Sequence, residues 1–152
     1  MTIRIKSLFM IAIAGLIAMP VVSFSAESED LIKYRQGIMK AVGGHMSATS
    51  LIVRGKVPHK GQLKQHVSAM KLLTDDMPAL FPEGSDFGET RAKDAVWEKP
   101  DEFSKASRIS NDSIARLLKA VEGGNDSEIL AGFKKVGEGC KGCHKKFREK
   151  KE

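Results

Sequence analysis

The chain has 152 residues, enough for one small domain, and carries 25 Lys and Arg against 19 Asp and Glu. The formal net charge of +6 is mildly basic. The charges are interspersed, apart from a short basic tail over residues 145–151 that suits the end of a helix. No aromatic residues interleave with the cations and no nucleic-acid fold signature is present, so the sequence argues against a nucleic-acid partner.

The N-terminus has the organisation of a signal peptide. Two cations precede an apolar run over residues 8–24, and small residues follow it. Pro20 cuts the uninterrupted apolar stretch below the roughly 18 residues that a spanning helix needs. Export with cleavage is therefore favoured over the alternative, an uncleaved membrane anchor.

Cleavage after Ser25 fits the preference for small residues, and cleavage after Ala26 is nearly as good. We therefore expect a signal peptide of residues 1–25 and a mature domain of residues 26–152. Loss of two cations with the leader lowers the formal charge from +6 to +4. The mature protein is expected in the periplasm, soluble rather than embedded in a membrane.

The first half of the mature chain predicts two amphipathic helices. The first extends from about residue 28 to 54 and ends at Gly55. Its inward stripe has helical spacing: Ile32, Arg35, Met39, Val42, Met46, Thr49 and Val53. The second extends from about residue 59 to 77, before Pro78. Its stripe is Leu63, His66, Met70, Leu73 and Met77.

The second half predicts two further helices after a long loop over residues 81–99, a length typical of functional or ligand-covering segments. The third helix begins at Pro100 and ends at Gly123–Gly124. The fourth begins after Asn125, with Glu128 placed for a capping box. Its stripe is Ile129, Phe133, Val136, Cys140, Cys143 and Phe147. Four such segments predict an all-α, antiparallel four-helix bundle.

The chemistry lies in Cys140-Lys141-Gly142-Cys143-His144. On a helix, two thiols and an imidazole at i, i+3 and i+4 share one face, so the thiols can bond two vinyl positions while the imidazole ligates iron. The motif predicts one covalent haem c with His144 as the proximal ligand, bound near the C-terminal helix.

Other uses of the two cysteines are weaker. A disulfide within one helical turn has poor geometry, and a thioredoxin-like motif needs a βαβ context that is absent. A zinc site needs four ligands, and the sequence pairs none of the remaining histidines at metal spacing: His45, His59 and His66. Chance occurrence of the motif is the last alternative.

The chain resembles the class II cytochromes c, the cytochrome c-prime and cytochrome c-556 family, over essentially its whole mature length. The segments that carry the resemblance, besides the haem motif, are Tyr34–Lys40, Leu80–Ser85, Glu89–Lys93, Trp97, Phe133–Gly137 and Phe147–Arg148. One departure is Asp94, where the family often has proline; it concerns the rigidity of the loop. Trp97 is expected to pack against the haem or to close the end of the bundle.

The resemblance implies that Met39 lies over the distal face of the haem. In the c-prime branch this position is commonly an apolar cover and the iron is five-coordinate, whereas in the c-556-like branch a methionine early in the first helix binds iron. We expect Met39 to be the distal ligand, as in the low-spin c-556 branch. Met46 is the fallback, and bis-histidine ligation through His45 is less favoured. Met70 and Met77 are expected to fill the core.

The same resemblance implies that Arg35 and Gln36 contact a haem propionate. Arg35 on an inward stripe is costly unless it is paired, and an anion is a suitable partner. The alternative is an ordinary salt bridge between Arg35 and a neighbouring helix.

These expectations combine into a periplasmic monohaem electron carrier with His/Met-ligated iron, which turns over no substrate and is not an enzyme. The partner would be an unidentified redox protein, and the chain a monomer or a homodimer. The alternative is a five-coordinate haem protein of the cytochrome c-prime type that binds NO or CO. A non-haem helical binding module requires the motif to be accidental.

Overall fold

The structure, a computed structural model, describes residues 28–150. The expected signal peptide lies outside these residues. The domain is an antiparallel four-helix bundle with one additional short helix. Its helices are α1 (Ser28–Val53), α2 (Leu63–Leu73), α3 (Ala95–Glu98), α4 (Pro100–Gly123) and α5 (Asp126–Phe147). Across residues 28–150, β-structure is limited to one isolated bridge, between Ala92 and Arg148. The expected all-α fold is confirmed.

Most helix ends lie where the local sequence predicts them. Beyond α1, Gly55 has a φ of 64°, which favours glycine. Gly124 ends α4 in the left-handed region, and its N–H donates to the carbonyls of Ala120 and Val121. Asn125 begins α5, because its side-chain oxygen accepts from the backbone N–H groups two and three residues later, at 3.0 and 3.2 Å.

Helix α2 is shorter than predicted. It ends at Leu73 instead of continuing to residue 77. The Thr74 hydroxyl donates to the carbonyl of Met70, and the Asn111 amide donates to the Thr74 oxygen at 3.0 Å. These side-chain bonds satisfy the helix end, and the two aspartates that follow are weak helix formers. The loop over residues 81–99 also differs from the prediction, since it contains α3.

The core has two parts. Nine buried residues from all four long helices form the first: Ile52, Leu63, Val67, Met70, Ile114, Leu117, Ile129, Phe133 and Val136. The second comprises Met77, Val96, Phe103 and Phe147, with Cys143 packed against it. Edge-to-face contacts join Phe103 to Phe147 and to Phe81, with ring centroids 5.1 and 5.0 Å apart. This second cluster closes the end of the bundle that carries the haem motif.

Two glycines allow α5 to lie close to α4. A Cβ at Gly139 would lie 3.2 Å from the Cα of Ser110, and one at Gly132 would lie 3.3 Å from the Leu117 side chain. The close approach fixes α5 immediately before Cys140. Among residues 28–150, no helix has both the length and the apolar character needed to cross a membrane.

Candidate haem site

Cys140, Cys143 and His144 line one cavity of about 460 Å³. They lie on the last two turns of α5, and both cysteines are free thiols. The volume is within the range of small-molecule and cofactor sites. The structure thus places the three residues of the motif at a shared space inside the bundle, as expected from their spacing.

The surroundings of these groups keep them uncharged. Burial raises the pKa of the Cys140 thiol. Burial is also the main cause that raises the pKa of the Cys143 thiol, and the nearby Cys140 raises it further. Burial lowers the pKa of His144, and the cations of Arg148 and Arg91 lower it further. A neutral imidazole has the lone pair that a metal ion requires, so His144 is held in the form that can coordinate.

Helix α1 supplies another wall of the cavity, which includes Arg35, Gln36 and Met39. All three are residues that the family resemblance assigned to the haem. Met39 is half-buried and packs against the second core cluster. The structure therefore brings the expected distal residue to the same cavity as His144.

The other candidate ligands are placed differently. Met46 lines a separate groove between α1 and α5, where its Cε is 3.9 Å from the Cβ position of Gly137. Met70 is buried in the first core cluster. Met77 was expected only to fill the core, and it also lines the haem cavity. Periodicity could not reveal this, because Met77 lies beyond the end of α2.

His45 is absent from the cavity lining and instead meets His66 of α2, with their Nδ1 atoms 2.9 Å apart. This contact is not a metal-ligand spacing in the sequence, and the expectation concerning sequence spacing is unaffected. The two histidines are separated by 21 residues, so only the crossing of α1 and α2 brings them together. In the described residues, no group of three or more His, Cys, Asp or Glu forms a metal site.

Arg35 is only 3% exposed, and it anchors the long loop to α1. Its guanidinium donates to the hydroxyl and the carbonyl of Ser85, at 2.7 and 2.6 Å, and to the Thr90 hydroxyl at 2.9 Å. It also lies 4.9 Å from the Phe81 ring centroid and 5.7 Å from that of Trp97. Burial lowers the pKa of Arg35, and the negative charge of Asp86 partly offsets this lowering.

The expected alternative for Arg35, a salt bridge with a neighbouring helix, is not found among residues 28–150. Gln36 donates to the carbonyl of Glu89 at 2.6 Å, so it also binds the loop. Three of the five guanidinium N–H donors of Arg35 are used in the loop. Two donors remain at a residue that lines the cavity.

The loop forms part of the cavity wall, and it is tied to the chain beyond α5. The N–H of Lys93 donates to the carbonyl of Phe147 at 3.1 Å, and the N–H of Glu149 donates to that of Arg91 at 2.8 Å. Trp97 is outside the lining and donates to the carbonyls of Phe81 and Pro82, both at 3.1 Å. Of its two expected roles, the structure supports closure of the bundle end.

Asp94 does not disturb the loop where the family often has proline. Its φ is −52° and it precedes the first turn of α3. This φ is within the range of a proline ring, so the backbone keeps a proline-compatible shape without the ring.

The donor set fits haem c. Two unpaired thiols at i and i+3 adjoin an imidazole at i+4, and all three line a cavity whose walls include apolar residues of α1, α4 and α5. The cavity has aromatic side chains at the motif end and cationic side chains at its rim, including Arg91 and Arg148. This combination suits a flat apolar macrocycle with anionic substituents.

Comparison with known proteins supports the same assignment. The family model described as cytochrome C′ matches residues 30–148. The cytochrome c′ of Pararhodospirillum photometricum is 37% identical over 125 residues, which cover 82% of this chain and all of that protein. Cytochrome c-556 of Agrobacterium tumefaciens is 32% identical over 124 residues, covering 79% of this chain and 98% of that protein. Relatives of both names occur, so the expected likeness to the c-556 branch in particular stays a prediction.

The fold is also similar to solved structures. One is the nitric oxide complex of a leucine-to-alanine variant of cytochrome c prime from Alcaligenes xylosoxidans. It has a TM-score of 0.77 and 30% identity, and the match covers 84% of this chain and 99% of that one. A leucine-to-glycine variant of the same protein is solved with carbon monoxide bound.

Proposed function

Because the chain belongs to the cytochrome c′ family and carries covalently bound haem c, we propose that it is a periplasmic gas-binding haem protein. His144 would bind the iron of the haem, and the cavity that His144 lines would admit nitric oxide or carbon monoxide. The observation that carries this proposal is the shared cavity of His144 and the α1 wall. The NO and CO complexes of the similar Alcaligenes proteins favour gas binding over the electron-carrier interpretation. No substrate is turned over.

The residues of this chain have distinct roles in that function. Bound haem supplies an iron centre that can take a diatomic ligand. Cys140 and Cys143 would hold the haem on α5 through thioether bonds, and His144 would donate its lone pair to the iron. Burial lowers the pKa of His144, which favours its neutral form, and the cavity wall near it includes the buried ring of Phe103.

We assign the haem propionates to Arg35 and Gln36. Both residues line the cavity, and Arg35 retains two N–H donors that the loop does not use. A propionate would add a second negative charge, besides that of Asp86, near the buried guanidinium. Residues 1–25 remain assigned to a cleaved signal peptide, which would deliver the chain to the compartment where haem c is attached.

A second candidate is a one-electron carrier in which the Met39 thioether binds the iron. It is favoured by one observation, the position of Met39 in the cavity that His144 lines. A thioether is a neutral, soft ligand that favours ferrous iron, so His/Met ligation suits reversible electron transfer. Met77 provides a matched control, since it is also a methionine whose side chain lines the cavity.

Absorption spectra of the haem-loaded protein distinguish the two candidates. Gas binding with an open coordination position predicts a high-spin ferrous spectrum that changes on addition of CO or NO. The carrier predicts a low-spin spectrum with a sharp α-band, which Met39→Leu abolishes and Met77→Leu preserves. A low-spin protein that binds neither gas would refute the first candidate. A chain without covalent haem, by haem staining of a denaturing gel, would refute both.

A further inference from the structure

A pair of histidines lies between α1 and α2, outside the haem cavity. The Nδ1 atoms of His45 and His66 are 2.9 Å apart, and their ring centroids are 5.2 Å apart with planes tilted by 54°. Both side chains are half-buried, so solvent reaches the pair. Neither ring lines the haem cavity or the groove between α1 and α5.

The contact defines the protonation of the two rings. A hydrogen bond between two Nδ1 atoms needs one donor and one acceptor, so one imidazole holds the shared proton and the other offers a lone pair. At least one ring must therefore be neutral. When both rings are neutral and the proton on the donor ring moves from Nδ1 to its Nε2, both Nδ1 atoms offer lone pairs at one point. Two imidazole nitrogens at this distance are a potential chelate.

The present distance between the nitrogens sets the angle at which they would bind one shared ion. Imidazole nitrogens bind first-row divalent ions at about 2.0–2.1 Å. Two such bonds from atoms 2.9 Å apart enclose about 90°, the angle between neighbouring ligands in a square-planar or tetragonal site. A tetrahedral angle would require the nitrogens to separate to about 3.3 Å. The rings need only turn so that both lone pairs point to the ion.

We propose that His45 and His66 form a binding site for a divalent copper ion. Nitrogen and oxygen ligands in tetragonal geometry select Cu²⁺, which also has the highest affinity in the series of first-row divalent ions. No third His, Cys, Asp or Glu completes the site in the described residues, so water fills the other positions. Both rings are half-buried, so solvent can reach them.

The site has a structural consequence for the bundle. His45 belongs to α1 and His66 to α2, so the two nitrogens meet only when these helices are packed together. An ion that binds both rings therefore stabilises the folded state over the unfolded one. Metal binding would be read out as a rise in the melting temperature, independently of the haem and its ligands.

Copper titration of the haem-loaded protein at pH 7.5 tests the site, with the cysteines already blocked by haem. The expected result is one equivalent of Cu²⁺ by calorimetry, with nitrogen hyperfine splitting in the copper resonance. His45→Ala and His66→Ala should each weaken binding at least tenfold. His59→Ala is the matched control, because His59 is exposed and begins a 3₁₀ turn without a side-chain cap bond. It should leave the affinity and the copper-induced rise in melting temperature unchanged.

Equal copper affinity in the unmutated protein and in both alanine variants would overturn the proposal, as would loss of binding in His59→Ala. The haem spectrum checks that each variant is folded, and His45→Gln provides a variant of similar size that lacks the imidazole. Binding that survives His45→Gln in a folded protein also refutes the site. Neither result affects the haem assignment.

Discussion

Replacing Arg35 with methionine tests whether one buried cation organises the long loop over the haem cavity. Arg35 makes three hydrogen bonds to two loop residues and contacts two aromatic rings. Methionine retains an unbranched side chain of similar length, so it removes the charge and the donors with little loss of packing. We expect the variant to fold into the same bundle with a loosened loop.

The expected loss in the free energy of unfolding depends on which hydrogen-bond partners of Arg35 stay unpaired in the variant. The Ser85 hydroxyl still donates to the carbonyl of Pro82, and the Thr90 hydroxyl still accepts from the N–H of Ala92. The carbonyl of Ser85 loses its Arg35 donor, which costs about 1–3 kcal/mol for a buried group. Loss of the cation–π contacts adds about 0.5–2 kcal/mol, while the desolvation of Arg35 is recovered. We expect a net loss of about 2–4 kcal/mol in the free energy of unfolding.

Urea denaturation of the haem-loaded protein measures this loss, and Arg54→Met is the control because Arg54 is exposed at the end of α1. Limited proteolysis within residues 81–90 should accelerate at least tenfold in Arg35→Met and remain unchanged in Arg54→Met. Unfolding of both variants at the same urea concentration, with equal rates of loop cleavage, would contradict this role of Arg35.

Three further changes probe the frame around the site. Gly139→Ala places a methyl group 3.2 Å from the backbone of Ser110 and should lower the free energy of unfolding by about 1–3 kcal/mol. Its control, Gly37→Ala, meets nothing within 4 Å and should be neutral or stabilising by up to about 1 kcal/mol. Asn125→Ala removes the cap of α5 and should cost about 1 kcal/mol, which Asn125→Asp restores; thermal unfolding followed by circular dichroism would reveal a failure of either. Trp97→Phe deletes an N–H donor that two carbonyls share, and it should lower the free energy of unfolding, measured by urea denaturation, by about 1 kcal/mol. An unchanged urea midpoint would contradict the role of Trp97 in closing the bundle end.

The sequence was most informative where all the residues of a pattern belong to one helix. The α5 stripe from Ile129 to Phe147 has helical spacing, and the structure buries its apolar members and turns both cysteines into the cavity. The ends of α1, α4 and α5 were also predictable, because glycine and asparagine act on their own backbone.

Contacts between distant segments were not predictable in the same way. The pairing of His45 with His66 depends on the rotation of two helices about their axes, which periodicity does not specify. Arg35 was recognised as a buried cation in need of a partner, but its bonds to Ser85 and Thr90 depend on the path of an irregular loop. The early end of α2 arose from a hydrogen bond across to Asn111 of α4, another long-range contact.

The bridge between Ala92 and Arg148 has a consequence for the timing of maturation. The partners of the loop at this wall, Phe147 and Glu149, lie just beyond the haem motif and near the C-terminus. A chain that is made in order from N- to C-terminus can therefore not complete this wall until Phe147 and Glu149, which follow the haem motif, have been made. Because Cys140 and Cys143 lie only a few residues before these partners, haem attachment and enclosure of the cavity become closely spaced events. A truncation before residue 149 would uncouple them.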